Sequence, residues 1–281
     1  MEKKFLNVAG ETLCYVDEGK GPPLVLIHGF IVSHKVWSGL IPRLAQSFRV
    51  IAPDLPGHGD SSRPDPSTCP YDAPYLADRV AKLLESLGVS GAGVVGHSMG
   101  GKVASYLTAR HPDRVSRLLL INSQGLPHPM PLLGKLVLLP VVGKPLFIKG
   151  YTRAAVKQYF KSDVFTDPRN VSDEMVDEVY RCLNLPGGRV AAYAMLRHTV
   201  VPTPEFPDIL RRIKVPVHLV WGELDRIYPL ELGRQFQSLL PGATLTVIPG
   251  CAHTPPEEQP ERTLEEIQRF MTSSETVRSA G

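Results

Sequence analysis

The chain has 281 residues, of which 43% are hydrophobic and 21% are charged, as is ordinary for a globular protein. Its formal net charge of +3 is too small to indicate a nucleic-acid partner. No apolar stretch approaches the ~20 residues that cross a bilayer, and the amino terminus lacks a signal-peptide pattern. The four cysteines are far apart and form no CxxC pair, as expected of reduced thiols. These features predict a cytoplasmic protein without an integral membrane segment or a nucleic-acid partner.

The predicted elements begin with two short strands, at residues 3–8 and 11–17, around an Ala9-Gly10 turn. Apolar runs then recur along the chain at 23–27, 49–53, 92–96, 117–121, 215–221 and 244–248. A run without alternation is typical of a strand buried on both faces of a parallel sheet. Helical periodicity lies between the runs, and Ser33 is expected to cap a helix that reaches about Gln46. The pattern predicts the α/β class, with helices on both faces of a mostly parallel sheet.

The alternation stops between about residues 124 and 207. This stretch is rich in Pro and Leu at first and then reads as several helices without strands. We therefore predict a helical cap at 124–207, inserted between two parts of the core at 1–123 and 208–281. Aliphatic residues early in the cap, among them Leu136 and Leu139, are predicted to line an apolar substrate pocket or to touch lipid. The alternative is that they only pack on the core.

The segment 96–101, Gly-His-Ser-Met-Gly-Gly, carries the sharpest chemical signal. It is a GxSxG sequence at the end of an apolar run and the start of a helix. A nucleophilic serine needs a tight, strained turn, and neighbouring glycines remove side chains that would clash there. The following helix points its N-terminus at negative charge that develops during attack. Ser98 is therefore the predicted nucleophile, and a helix start without catalysis is the alternative.

Two further side chains complete the predicted catalytic group. A serine hydroxyl needs a base, and His253 lies just after the last apolar run, at the sheet edge where functional side chains converge. The base needs an acid to orient it, and Asp225 follows the strand that ends at Gly222. Glu223 is the rival carboxylate. Asp225 is favoured because it is the shorter acid and lies three residues beyond the glycine that ends the strand.

Two backbone N–H groups, those of Met99 and Phe30, are expected to bind the oxyanion that forms during attack. Gly29 permits close approach of the backbone, the ring of Phe30 is predicted to line the substrate pocket, and His28 is expected to fix the loop. The glycine-rich turn at 54–61 lacks the pattern of a phosphate loop. The histidines show no ligand-like spacing with carboxylates or cysteines, so neither a metal nor a cofactor is predicted.

The chain resembles the α/β-hydrolase superfamily over nearly its whole length. The segments that carry the resemblance are His28-Gly29-Phe30, Asp54-x-Pro-Gly57-His58-Gly59-x-Ser61, Gly96-His97-Ser98-Met99-Gly100-Gly101, Gly222-x-x-Asp225 and Gly250-x-x-His253. The order Ser, Asp, His along the chain is also that of this superfamily. Within it, the chain is similar to small bacterial-type esterases, lipases and cofactor-free haloperoxidase-like hydrolases. The resemblance implies an eight-stranded sheet with the cap inserted after the sixth strand.

Related subfamilies differ at positions that carry the chemistry. Haloalkane dehalogenases and epoxide hydrolases of this fold have an aspartate where Ser98 stands, and a serine cannot replace the alkyl-ester intermediate that this aspartate forms. Carbon–carbon hydrolases share a serine in a Ser-Met-Gly-Gly setting. Their oxyanion loop is usually rich in glycine and serine, and residues 30–32 depart from that.

The sequence thus predicts a cofactor-free serine hydrolase that cleaves small carboxylic esters through an acyl-enzyme on Ser98. Three enzymatic alternatives use the same catalytic group: a carbon–carbon bond hydrolase, a thioesterase and a perhydrolase. A receptor for small hydrophobic ligands is the non-enzymatic alternative, because some proteins that resemble these hydrolases serve as receptors. The sequence leaves the oligomeric state open.

Overall fold

One mostly parallel sheet runs through the part of the chain that the computed structural model describes, which comprises residues 1–129, 132–139, 141–200 and 203–273. Its strands are β1 (Lys4–Val8), β2 (Glu11–Glu18), β3 (Pro23–Ile27), β4 (Arg49–Pro53), β5 (Ala92–His97), β6 (Val115–Ile121), β7 (Val217–Gly222) and β8 (Thr244–Ile248). They lie in the order β1-β2-β4-β3-β5-β6-β7-β8. β2 pairs antiparallel with β1 and β4, and all other pairs are parallel. The predicted α/β class and eight-stranded sheet are confirmed.

The first two strands form a hairpin whose turn is Ala9-Gly10. Both turn residues have positive φ, 52° and 86°, as a two-residue turn requires if its twist is to match that of the strands. Glycine adopts this conformation without a steric penalty. The hairpin buries Val8 and Leu13, while Phe5 on the edge strand stays 57% exposed.

Helices cover both faces of the sheet. They are α1 (Ile41–Leu44), α2 (Ala73–Ser86), α3 (Met99–Arg110), α4 (Leu132–Val137), α5 (Gly143–Gly150), α6 (Arg153–Tyr159), α7 (Asp173–Asn184), α8 (Gly188–Val200), α9 (Phe206–Arg211), α10 (Leu230–Leu239), α11 (Pro255–Glu258) and α12 (Pro260–Thr272). Alternate residues of a strand point to opposite faces. Val25 and Ile27 of β3 therefore join the core under α2, α3 and α10, and Leu24 and Leu26 join the core under α1 and α12.

The helices α4 to α9 lie between β6 and β7. A third hydrophobic cluster joins α5 to α8 and includes Phe147, Phe160 and Val176. We call it the cap-side cluster, because its helices lie within the predicted cap. Ile31, from the loop after β3, is buried in the same cluster and so ties this helical region to the sheet. The limits 124 and 207 of the predicted cap stay a prediction. Within the described ranges, the helices are all too short or too polar to cross a membrane.

The helix expected from Ser33 to about Gln46 is wrong in one respect, because the structure divides it into two short pieces. Ser33 caps a single 3-10 turn, His34–Trp37, with its side chain accepting from the amide of Lys35. The separate helix α1 starts only at Ile41 and has a proline in its first turn. A proline has no amide hydrogen to donate and clashes with the preceding turn, so a helix begins there and does not pass through it.

Candidate active site

Ser98 occupies the sharp turn between β5 and α3. Its backbone has φ 55° and ψ −122°, a conformation that non-glycine residues rarely adopt. The neighbouring glycines make this turn possible. A side-chain carbon at Gly96 would lie 2.5 Å from the carbonyl oxygen of Gly100, and one at Gly100 would lie 2.3 Å from that of Ile27. The GxSxG spacing therefore lets α3 begin directly against the end of the sheet and presents the Ser98 hydroxyl at the sheet edge.

The structure brings the three predicted catalytic side chains together in one chain of hydrogen bonds. The Ser98 hydroxyl lies 3.0 Å from Nε2 of His253, and Nδ1 of His253 lies 2.9 Å from Oδ2 of Asp225. All three residues are buried. With Nδ1–H donated to the carboxylate, Nε2 is free to accept the hydroxyl proton, which is the arrangement that general-base activation of a serine requires.

Asp225 is held in its ionised form by its surroundings. Its Oδ1 accepts the amides of Ile227 and Tyr228, and its Oδ2 accepts from His253 and from the side-chain amide of Asn122. Burial alone would raise the pKa of Asp225, but the charge and hydrogen bond of His253 and the other donors outweigh it and lower that pKa. The rival Glu223 is exposed and accepts only the amide of Gly250.

The backbone amides of Phe30 and Met99 are the predicted oxyanion donors. Neither amide has a hydrogen-bond partner within the described ranges. The loop that carries Phe30 runs beside the nucleophile, since a side-chain carbon at Gly29 would lie 3.2 Å from Cβ of Ser98. Both ring nitrogens of His28 are occupied by this loop region: Nδ1 donates to the carbonyl of Gly29, and Nε2 accepts the amide of Leu55. His28 therefore fixes the loop, as expected.

Ile31 follows Phe30 in a strained conformation. Its φ is 57°, which a β-branched side chain adopts only at a steric cost. The side chain is 4% exposed, and its packing in the cap-side cluster holds the backbone in place. Strain of this kind concentrates at functional sites, where the surrounding structure maintains it. We therefore expect the packing of α5 to α8 to influence the position of the Phe30 amide.

Three residues that contact the catalytic group were not predicted from the sequence. Asn122, one residue after β6, donates to Asp225 and to the carbonyl of Ala252, and its oxygen accepts the amide of Gly222. His97 donates from Nε2 to the backbone oxygen of His253. A signal for Asn122 was available, because a polar residue directly after a buried parallel strand lies at the functional edge of the sheet.

Tyr228, the third, lies beside the imidazole of His253. The centroids of these two rings are 5.5 Å apart, and the ring of His128 lies 5.0 Å from that of Tyr228. Burial raises the pKa of Tyr228 well above its ordinary value. Its hydroxyl is therefore a protonated donor at neutral pH, available to an oxygen-containing group of a substrate.

The three predicted substrate contacts differ in their surroundings. Phe30 is half-buried and packs against both the sheet core and the cap-side cluster. Leu136 and Leu139 are 41% and 44% exposed at the end of α4. The structure does not bring these two leucines to Ser98 in the way that it brings His253, so their contact with substrate stays a prediction. A groove of about 360 Å³ lies between the loop after β3 and α7, and its lining does not include Ser98.

One group of buried side chains has metal-ligand chemistry. Ligand atoms of Cys14, His34 and Asp54 lie within 4.8 Å of one another. The carboxylate of Asp54 is occupied, because Oδ1 accepts both the amide and Nδ1–H of His34 and Oδ2 accepts the amide of Asp60. Burial alone would raise the pKa of Asp54, but His34 outweighs it and holds that pKa far below its ordinary value. The group is a hydrogen-bonded support for the loop at 54–61.

The geometry of the fold and site agrees with a family comparison. The sequence profile of the alpha/beta hydrolase fold matches residues 22–260. The chain therefore belongs to the alpha/beta hydrolase fold family. This membership supports the prediction that the protein is an enzyme of the hydrolase class.

Similar proteins cover nearly the whole chain. The hydrolase YugF of Bacillus subtilis is 32% identical over 251 residues, which span 88% of this chain and 89% of that protein. The 2-hydroxymuconate semialdehyde hydrolase of Pseudomonas sp. (strain CF600) is 29% identical over 272 residues, or 93% of this chain and 90% of that protein. The crystal structure of Cfl2 from Burkholderia cenocepacia superposes with a TM-score of 0.85 at 28% identity and covers 95% of each chain.

Proposed function

We propose that the protein hydrolyses small carboxylic esters with apolar acyl or alkyl groups through an acyl-enzyme on Ser98. His253 takes the proton of the Ser98 hydroxyl as the oxygen attacks the ester carbonyl. The amides of Phe30 and Met99 bind the oxyanion, and His253 then gives its proton to the leaving alcohol. Water enters, His253 takes one of its protons, and the resulting attack on the acyl-enzyme releases the acid and restores the Ser98 hydroxyl.

The hydrogen-bonded chain from Ser98 through His253 to Asp225 carries this proposal. Its distances of 3.0 Å and 2.9 Å are those at which a proton is transferred without further movement. The unbonded amides beside Ser98 support the assignment of the oxyanion site. The half-buried ring of Phe30 supports an apolar substrate, with Leu136 and Leu139 as its proposed outer contacts. Four buried thiols without a disulfide support the further proposal that the enzyme acts in the cytoplasm.

The test is hydrolysis of p-nitrophenyl esters of increasing acyl length by the wild-type chain and by Ser98→Ala. We expect kcat/KM to fall by about 10⁴-fold or more, because the nucleophile is removed and only binding and the oxyanion donors are left. Ser105→Ala is the matched control. Ser105 lies in the same helix, is buried, and bonds only to the backbone oxygen of Gly101. Comparable activity of Ser98→Ala and Ser105→Ala would refute the assignment.

Carbon–carbon bond hydrolysis is the second candidate. The similarity to a 2-hydroxymuconate semialdehyde hydrolase favours it, and Tyr228, whose ring lies beside that of His253, offers a hydroxyl donor for an additional oxygen of such a substrate. Thioester hydrolysis and perhydrolysis would use the same steps. Turnover of 2-hydroxymuconate semialdehyde, measured beside the ester series at equal enzyme concentration, separates the two candidates by the ratio of their kcat/KM values.

A further inference from the structure

A cluster of exposed aliphatic side chains lies where α4 ends and α5 begins. Five residues form this surface, which we call the cap apolar surface: Leu136, Leu139, Val141, Val142 and Leu146. Their exposed fractions are 41% to 84%, and together they are more than half of the large apolar residues that the described chain exposes. The amide of Gly143 donates to the carbonyl of Leu139, which holds the first residue of α5 beside the end of α4. Apolar surface of this extent is typical of an interaction site.

The charged residues within α4 and α5 are all lysines. From residue 114 to residue 162 the sequence has no Asp or Glu. Lys135, Lys144 and Lys149 are exposed on or beside the two helices, and no described carboxylate forms an ion pair with any of the three. Arg153 and Lys157, further along, are already paired with Asp173. The surface therefore combines exposed aliphatic groups with three lysines that form no ion pair with a described residue, although the carboxylate of Asp65 is near enough to interact electrostatically with Lys144.

We propose that the cap apolar surface docks the protein on anionic phospholipid bilayers. Aliphatic side chains surrounded by lysines are the combination that enters the interface of a negatively charged membrane, with the apolar groups among the acyl chains and the ammonium groups at the phosphates. A second copy of the chain fits this surface less well. A two-fold contact would bring like-charged lysines of both copies together at its edge.

The chain that precedes α4 reaches the candidate active site at His128, whose ring lies 5.0 Å from that of Tyr228, which in turn lies 5.5 Å from the ring of His253. The docking itself does not depend on the proposed hydrolysis, since none of its residues belongs to the catalytic group.

The experiment is flotation of the full chain with vesicles of phosphatidylcholine alone or with an equal part of phosphatidylglycerol. We expect binding to the anionic vesicles that weakens strongly at about 0.5 M salt, because screening removes the attraction. Lys144→Glu combined with Lys149→Glu should weaken the partition coefficient by at least about 25-fold, at about fivefold for each lysine. Val141→Glu combined with Val142→Glu should weaken it by about tenfold or more.

Phe5→Glu is the control, because Phe5 is equally exposed but lies on the edge strand β1. Its binding should equal that of the wild type. All variants change exposed side chains, and an unchanged thermal midpoint verifies that they fold. Repeating the flotation with Ser98→Ala separates docking from catalysis. The proposal is overturned if the wild-type chain does not bind anionic vesicles, or if Phe5→Glu loses as much binding as the lysine and valine variants. Self-association that only the valine variant abolishes would assign the surface to a second copy.

Discussion

Asn122 provides the sharpest test of how the site is held together. Its side chain joins three segments: it donates to Asp225 at 2.5 Å and to the carbonyl of Ala252 at 3.1 Å, and it accepts the amide of Gly222 at 3.0 Å. The residue is fully buried, and its backbone has φ 43°. We expect Asn122→Ala to lower both the stability of the protein and the rate of ester hydrolysis, for separate reasons.

The stability cost follows from the groups that Asn122→Ala leaves without a partner. The amide of Gly222 and the carbonyl of Ala252 each lose a buried hydrogen bond, which costs about 1 to 3 kcal/mol per group. Alanine at positive φ adds about 1 kcal/mol. The free energy of unfolding should therefore fall by about 3 to 7 kcal/mol, which lowers the midpoint of thermal unfolding by about 5 to 12 °C in a chain of this size.

The catalytic cost follows from the lost contact with Asp225. The carboxylate keeps the amides of Ile227 and Tyr228 but can rotate away from His253, so kcat should fall by about 10- to 100-fold with a smaller change in KM. Urea unfolding and p-nitrophenyl ester kinetics at 20 °C measure the two effects. Thr263→Val is the control, because Thr263 is fully buried and, within the described ranges, its hydroxyl donates only to the carbonyl of Gln259, which precedes α12. A kcat for Asn122→Ala within twofold of the wild-type value would refute the reasoning.

Two further predictions concern residues around the site. Burial raises the pKa of Glu257 to about 7 from its ordinary 4.5. Between these two pH values the folded protein keeps a proton that the unfolded chain has released. The free energy of unfolding therefore falls as the pH rises from 4.5 to about 7. Glu257→Gln should therefore increase the free energy of unfolding at pH 8 by about 1 to 3 kcal/mol but not at pH 4; an effect independent of pH in urea titrations contradicts this. Ile31→Gly relieves about 1 kcal/mol of backbone strain but loses buried contacts, and kcat should fall because the Phe30 amide is no longer held. Ile31→Val, which keeps the branched side chain, should retain kcat, and equal rates in the two variants would argue against the coupling.

Local pattern alone predicted most of the sheet, and the order of the three residues of the candidate site followed from the resemblance to the superfamily. The apolar runs at 92–96 and 117–121 coincide closely with β5 and β6, because a strand buried on both faces needs apolar side chains at nearly every position. The run at 244–248 coincides with β8, although this edge strand is only partly buried. The turn at Ser98 could also be predicted from its local sequence, GxSxG. The glycines of GxSxG are required by contacts with residues only a few positions away, or with the adjacent strand.

Other features depended on segments that meet only in the folded chain. Asn122, Ala252 and Asp225 are separated by up to 130 residues, and no periodicity indicates that one amide joins them. The strain at Ile31 exists because a distant cluster of cap-side residues packs on its side chain. The role of Leu136 and Leu139 is also not determined by sequence spacing. An apolar helix face can pack on the core, contact a substrate or bind another surface. Sequence spacing does not distinguish these contacts, because they depend on how the helix is placed in three dimensions.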